Sequence, residues 1–333
     1  MKAMQLTQTG PIESGPLKYV ELPDPAPGPG EVRIKIHCCA ICRTDLHIIE
    51  GDIDAPKIPI IPGHQIVGTV DEVGAGCRHL KRGDRIGAAW LRYTCGVCRF
   101  CTSHRENLCP NSQYTGFHVD GGFAEFAIVP EDFAYELPRQ YDDITVAPLL
   151  CAGMIGYRAL KRSNLQRGGK LAIFGFGSSA HIILQIVRGR GNEAYVVSRS
   201  DNHQKLAREL GATWCGTDAS QMPSPVESAI VFAPAGDVVL PALASLDSGG
   251  TVALAGIHMS PIPSLDYDKF LFRERDVHPV TANTRGDGIE LLAEAAAAGV
   301  KPQIRKYDLK DANRALQDLK AGRIDGTGVL VMK

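Results

Sequence analysis

Four of the ten cysteines, Cys95, Cys98, Cys101 and Cys109, are spaced C-x2-C-x2-C-x7-C. Four thiolates on one short loop can close a tetrahedral shell around Zn²⁺ with bonds of about 2.3 Å. Gly96 sits in the first gap and helps the backbone turn. A closed shell keeps no open position, so a zinc held there is structural. An iron–sulfur cluster ranks below zinc. Free or disulfide-paired cysteines are the plain alternative, and the chain starts without the apolar core of a secretion signal that would favour pairing. The spacing also fits a zinc module that binds nucleic acid, but Arg92, Arg99 and Arg105 are accompanied by Glu106.

A second set of ligand types is scattered. Cys42 begins the run Cys42-Arg43-Thr44-Asp45-Leu46-His47, His64 follows Pro62-Gly63, and Cys151 opens Cys151-Ala152-Gly153. Three protein ligands and one open position form the pattern of a catalytic zinc. Spacing does not unite these three, and each alone reads equally as a packed core residue.

The third group is the turn Gly175-Phe176-Gly177-Ser178-Ser179-Ala180, a G-x-G-x-x-A pattern between a strand-like run, Lys170 to Phe174, and a helix-like one, Ala180 to Val187. Gly175 permits a tight turn, Gly177 lets a pyrophosphate approach the backbone, and Ala180 permits close helix–strand packing. The first N–H groups of the helix then face the anion. At the end of the next strand an NAD site usually carries an acidic residue for the ribose 2′-OH. Here that place holds Ser198, followed by Arg199 and Ser200. A hydroxyl and a guanidinium suit a 2′-phosphate, which favours NADP(H). The alternative is a solvated Arg199, with Asp201 serving NAD.

The elements around these groups divide the chain. In the first 150 residues Val32, Ile34 and Ile36 alternate with charged residues as in a half-buried strand. Leu22 to Gly30, with four prolines and two glycines, is a loop. Ile66 to Val73 is a second strand before the turn Gly74-Ala75-Gly76. From Pro148 to about residue 282 strands alternate with helices. Ala194 to Val197, Ala229 to Phe232 and Thr251 to Ala255 read as strands, and His203 to Leu210 as a helix ended by Gly211. Such alternation implies a parallel sheet covered on both faces. The tail holds helices at Gly288 to Ala298 and Asp311 to Ala321 and a strand at Gly328 to Met332.

With 333 residues the chain has room for about two domains. Lys plus Arg is 36 and Asp plus Glu is 37, a net charge of −1, which argues against a partner bound through its phosphate backbone. Hydrophobic residues at 44% and charged residues at 22% describe a globular chain rather than a disordered one. Apolar runs such as Ile58 to Ile61 are too short to span a bilayer. A cytoplasmic protein without membrane or nucleic-acid partners is expected.

Taken in order, these motifs resemble the zinc-dependent alcohol dehydrogenases of the medium-chain dehydrogenase/reductase family over nearly the whole chain. The resemblance implies an α/β protein with a Rossmann, doubly wound parallel-sheet cofactor domain at 151–282 and an irregular, β-rich, GroES-like catalytic domain at 1–150 and 283–333. It implies a catalytic zinc on Cys42, His64 and Cys151, with Asp45 and Gln65 behind them, and a structural zinc on the four-cysteine loop. Thr44, the cofactor ribose and His47 would relay a proton. Arg43, Gly175, Gly177, Ser178 and Ser179 would hold the dinucleotide. Ser198-Arg199-Ser200 is similar to the NADP-using branches. Ile49 and Trp90 would line the substrate pocket. The implied reaction is hydride transfer between a primary or secondary alcohol, or its aldehyde or ketone, and NADP(H) or NAD(H), in a homodimer or homotetramer. Three positions depart from the family pattern: Gln65 replaces the usual Glu, Ile155 replaces a Thr, and Gly326-Thr327-Gly328 lacks an arginine. The rival readings are a zinc-free quinone reductase on the same fold, a non-catalytic zinc-loop binding protein, and a dehydrogenase that binds cofactor without turnover.

Overall fold

A computed structural model describes residues 1–257 and 259–332. Two compact units emerge: Met1–Cys151 with Asn283–Ala293 and Pro302–Lys333, and Ala152–Ala282 with Glu294–Lys301. The expected boundaries differ from these in two places. Cys151 belongs with the first unit, and the stretch 294–301 belongs with the second rather than with the tail.

The first unit begins with a hairpin of β1 (Lys2–Leu6) and β2 (Leu17–Glu21). Next come β3 (Glu31–Ala40), α1 (Arg43–Glu50), β4 (Gln65–Val73), β5 (Arg85–Ala88), β6 (Leu91–Tyr93), β7 (Gln113–Tyr114), β8 (Phe126–Pro130), β9 (Ala134–Glu136) and the short α2 (Asp143–Val146). The expected loop at 22–30 carries no strand or helix. On β3, Val32, Ile34 and Ile36 face inward as the alternation requires, until a register shift between Ile36 and Cys38 buries Cys38, Cys39 and Ala40 in succession. A bulge of this kind re-aims the chain, and Cys42 follows directly.

The second unit contains α3 (Ala152–Arg162), β10 (Lys170–Phe174), α4 (Ser178–Gly189), β11 (Glu193–Val197), α5 (Asp201–Glu209), β12 (Trp214–Gly216), β13 (Val226–Val231), α6 (Val239–Ser245), β14 (Leu246–Leu254), α7 (Tyr267–Phe270) and β15 (Asp276–Pro279). Its strands lie in the order β12-β11-β10-β13-β14-β15, all parallel, which is the doubly wound sheet. Helix α5 begins two residues before the expected start because Ser200 caps it, accepting from the His203 N–H.

The chain then forms α8 (Arg285–Ala297), β16 (Ile304–Asp308), α9 (Ala312–Lys320) and β17 (Thr327–Val331). Strands β16 and β17 complete the first unit's sheet, ordered β16-β17-β3-β4-β5-β9, with β8 also on β3. Helix α8 starts three residues before the expected Gly288. Thr284 and Asp287 form a reciprocal cap: the Thr284 N–H donates to Asp287 Oδ2 and the Asp287 N–H to Thr284 Oγ1. Among the described residues no single helix is long and apolar enough to cross a membrane.

One ion pair ties the cysteine loop to the returning chain. Glu106, inside the loop and buried, accepts from the Arg285 backbone N–H at 2.8 Å and from its guanidinium at 2.7 and 3.1 Å. Arg285 also lies over the Phe133 ring at 4.6 Å. Burial opposes ionisation of Glu106, but Arg285 outweighs it and holds the carboxyl below its usual range. A group with a depressed folded-state pKa stabilises above its unfolded value and loses that effect as pH falls through the folded one. Glu106→Gln is therefore expected to lower unfolding free energy by about 2–4 kcal/mol at neutral pH. The deficit should shrink below about pH 4. Denaturant melts at both pH values check this, and a pH-independent deficit would contradict it.

Candidate active site

Cys42, His64 and Cys151, up to 109 residues apart, present their ligand atoms to one point. His64 Nε2 stands 3.3 Å from each of the two sulfurs, which are 4.0 Å from one another. Two sulfurs on one tetrahedral ion stand about 3.8 Å apart. The separations thus fit a shared cation, and they exclude a disulfide between these cysteines, which are free.

The three positions are fixed by one buried carboxylate. Asp45, in the first turn of α1, is fully enclosed. Its Oδ2 accepts from the Cys42 N–H at 2.9 Å, and its Oδ1 accepts from the Gly63 N–H at 3.2 Å and lies 3.1 Å from His64 Nδ1. Held at Nδ1, the His64 ring offers Nε2 to the sulfurs. Burial pulls the His64 imidazole down, but the charges of Asp45 and Cys42 outweigh it and push it up to about 10. Cys42 is held well below the ordinary thiol value, chiefly by the Cys151 thiol, with His64 and Thr44 adding. Cys151 is pushed the other way, well above the ordinary thiol value, by the Cys42 thiol and by burial. Gln65 is buried with neither side-chain amide atom hydrogen-bonded.

Thr44 is buried beside this set, and His47 lies three residues along α1 on the same face, its Nδ1 2.8 Å from Asp52 Oδ2. Arg43 is exposed. Trp90 packs edge-on against the His64 ring at 4.9 Å and stacks on Tyr114 at 4.8 Å. Ile49, expected in the pocket with Trp90, is fully enclosed in the first unit's hydrophobic core, against which Trp90 also packs.

The four-cysteine loop also converges. Cys95 and Cys109 Sγ are 3.6 Å apart, Cys98 and Cys101 3.5 Å, and Cys95 and Cys101 4.0 Å. Backbone N–H groups of Val97 and Cys98 lower the Cys95 thiol to about 6. Thiolate-favouring amides and four gathered sulfurs are the donor set of a closed zinc shell.

In the second unit Gly175 turns with φ +86, and a Cβ there would lie 3.0 Å from the Ala233 nitrogen. A Cβ on Gly177 would meet nothing, so packing does not demand a glycine there. Gly177 also precedes α4 without a side chain to cap its leading N–H groups. The Gly175 N–H donates to Val197 O, so the turn abuts the end of β11, where Ser198 is buried and Arg199 exposed. Ile155 is half-buried on α3, and Thr327 is buried on β17.

Residues 28–139 match the model of the alcohol dehydrogenase GroES-like domain. The whole chain is 48% identical to a probable alcohol dehydrogenase AdhA of Mycobacterium tuberculosis, over 97% of that protein. The chain belongs to the alcohol dehydrogenase family. It is an enzyme of that medium-chain family, with the Rossmann and GroES-like halves that the family combines. Among solved structures, a cobalt- and zinc-bound alcohol dehydrogenase of Pyrobaculum aerophilum is similar at 25% identity and a TM-score of 0.90, covering 99% of both chains. A CAD of Helicobacter pylori complexed with NADP(H) is similar at 26% and 0.87, again over 99% of both chains.

Against the family pattern, two features of this chain went unread in the sequence. Tyr114, Phe117 and His118 join Trp90 in one aromatic cluster beside His64. Their only sequence signal is the density of rings between the cysteine loop and Gly121-Gly122. Below them four glycines pack backbone to backbone. A Cβ on Gly116 or Gly121 would strike Gly63, and one on Gly122 would strike Ile66. Gly63 itself turns at φ +97, with Phe123 2.4 Å from where a Cβ would sit. Gly63→Ala should therefore destabilise the fold by about 2 kcal/mol or more. A chemical-denaturation midpoint equal to that of the parent protein would contradict this packing argument.

Proposed function

We propose that the protein interconverts primary or secondary alcohols and their aldehydes or ketones, with one zinc at Cys42, His64 and Cys151, a second at the four-cysteine loop, and NADP(H) preferred over NAD(H). The carrying observation is the meeting of two sulfurs and one imidazole nitrogen within 4.0 Å. The zinc named in the Pyrobaculum structure and the NADP(H) named in the Helicobacter one support the two cofactor classes.

When bound, zinc supplies Lewis acidity that makes a hydroxyl acidic near neutral pH or polarises a carbonyl. The nicotinamide supplies the hydride acceptor or donor. The remaining work falls to this chain. Asp45 holds His64 and Cys42 in their ligating orientations. Thr44 Oγ1 receives the proton that leaves the substrate hydroxyl, and His47 carries it toward solvent, since Thr can accept and donate and His can hold a proton near neutral pH. The aromatic cluster around Trp90 keeps water from the reacting oxygen. Gln65, a neutral amide, leaves the metal site one charge more positive than a Glu would.

In the second unit the leading amides at Ser178 and Ser179, with Gly175 and Gly177, cradle the pyrophosphate; Arg43 is a further cation for the cofactor. Ser198 and Arg199 bind the 2′-phosphate. Ile155, and the tail without an arginine at 326–328, depart from the residues expected around the dinucleotide. Exposed Ile257, Ile262, Tyr267 and Phe272 form an apolar stretch on the second unit that supports a homo-oligomer.

Two substitutions separate the metal roles. Cys151→Ser is expected to abolish turnover and release about one zinc per chain with little change in melting temperature. Cys98→Ser is expected to lower the melting temperature, because that ion contributes folding energy. Equal effects in metal analysis, turnover and melting would mean that the sites are misassigned. Arg199→Asp should shift the ratio of kcat/KM for NADP⁺ over NAD⁺ at least tenfold toward NAD⁺, a loss of about 1.4 kcal/mol of preference. An unchanged ratio would remove the phosphate clamp.

A further inference from the structure

Helix α1 ends in a way that serves the residue at its centre. Gly51 turns with φ +83, a conformation that favours glycine. Beyond it the chain folds back, and the N–H groups of Gly51, Asp52 and Ile53 all donate to the carbonyl of His47, those of Asp52 and Ile53 at 2.9 and 3.3 Å. The fold-back brings the Asp52 carboxylate onto the imidazole, with Oδ2 2.8 Å from Nδ1. The His47 side chain is 18% exposed and that of Asp52 50%, so the pair runs from the protein toward water. The neighbouring carboxylate does not compete. Glu50 accepts from Lys320 Nζ at 2.8 Å and from the Ile12 N–H at 3.0 Å.

From this geometry we propose that Asp52 is a positioning residue of the proton path: it accepts the Nδ1 hydrogen of His47 and so fixes the tautomer in which Nε2 takes the transferred proton. The inference rests on the reading above, in which Thr44 and His47 move the hydroxyl proton. Balance is simple. Nε2 gains one proton and the ring becomes an imidazolium, Asp52 balances its charge, and the same number of protons returns to bulk water before the next turnover. A hydrogen-bonded carboxylate behind a working histidine stabilises the charged ring and sets its orientation. The C-terminal end of α1 adds to this, since a cation is favoured there.

The test uses the zinc-loaded enzyme with saturating alcohol and oxidised nicotinamide, and the cofactor-free protein for a spectroscopic readout. Asp52→Ala is expected to lower kcat for alcohol oxidation about tenfold. It should raise the solvent deuterium isotope effect and leave the KM for alcohol and the melting temperature near the parent values. Asp52→Asn, which keeps an acceptor oxygen, should retain most of the rate. In a His47→Gln background Asp52→Ala should add no further loss. On ¹⁵N-histidine-labelled protein without cofactor, His47 should be protonated at Nδ1, and in Asp52→Ala it should become a mixture of tautomers. An Asp52→Ala enzyme with the parent kcat and isotope effect, an undiminished loss in the His47→Gln background, or an unchanged tautomer would overturn the proposal. If His47→Gln alone kept full activity, the relay reading would fall and the role of Asp52 with it. If His47→Gln were slow while Asp52→Ala stayed fast, only the role of Asp52 would fall.

Discussion

The buried carboxylate of Asp45 is the constraint on which the Cys42–His64–Cys151 cluster turns. A carboxylate with no exposure is costly unless its lone pairs are engaged. Here they meet the Cys42 N–H, the Gly63 N–H and the Nδ1 side of His64. One side chain thus spans the start of α1 and the entry to β4, and sets the distance between two ligands 22 residues apart in sequence. The third ligand, Cys151, arrives from the end of the first unit's main segment, where the short α2 and the turn after it pack close to β3 and β4. Two sulfurs and one imidazole nitrogen then converge on the point where the three meet.

Each unit carries its own half of the chemistry. In the first, the Cys42–His64–Cys151 cluster, His47 and the aromatic cluster hang on α1, on the β3 bulge and on a set of glycines whose backbones touch. In the second, the glycine turn sits at the carboxyl ends of β10 and β11, the usual place for a ligand on a doubly wound sheet. The four-cysteine loop also belongs to the first unit. Its anchor in the protein is Glu106 against Arg285, which links the loop to the N-terminus of α8 and not to the catalytic trio.

Much of this was legible in the residues. The strand at Val32–Ile36, the alternating strands and helices after Pro148, the glycine turn and the cysteine loop are all local patterns, and local patterns survive reading one segment at a time. Convergence is not local. Spacing alone could not bring Cys42, His64 and Cys151 together, and only the resemblance of the ordered motifs to a family did so. The Glu106–Arg285 pair spans 179 residues and leaves no trace in either segment. Tyr114, Phe117 and His118 look like ordinary loop residues until Trp90 is found stacked on Tyr114 and tilted against Phe117, with His118 against both of these rings. Helix starts were missed by two or three residues wherever a cap, at Ser200 or Thr284, decided them.

Anomalous diffraction at the zinc edge, from crystals of the protein grown with zinc, tests the central claim most directly. Two peaks per chain are predicted, one inside the four-cysteine loop. The other should lie about 2.0–2.3 Å from Cys42 Sγ, His64 Nε2 and Cys151 Sγ together. A single peak in the cysteine loop, with Cys42 and Cys151 turned away from His64, would contradict it.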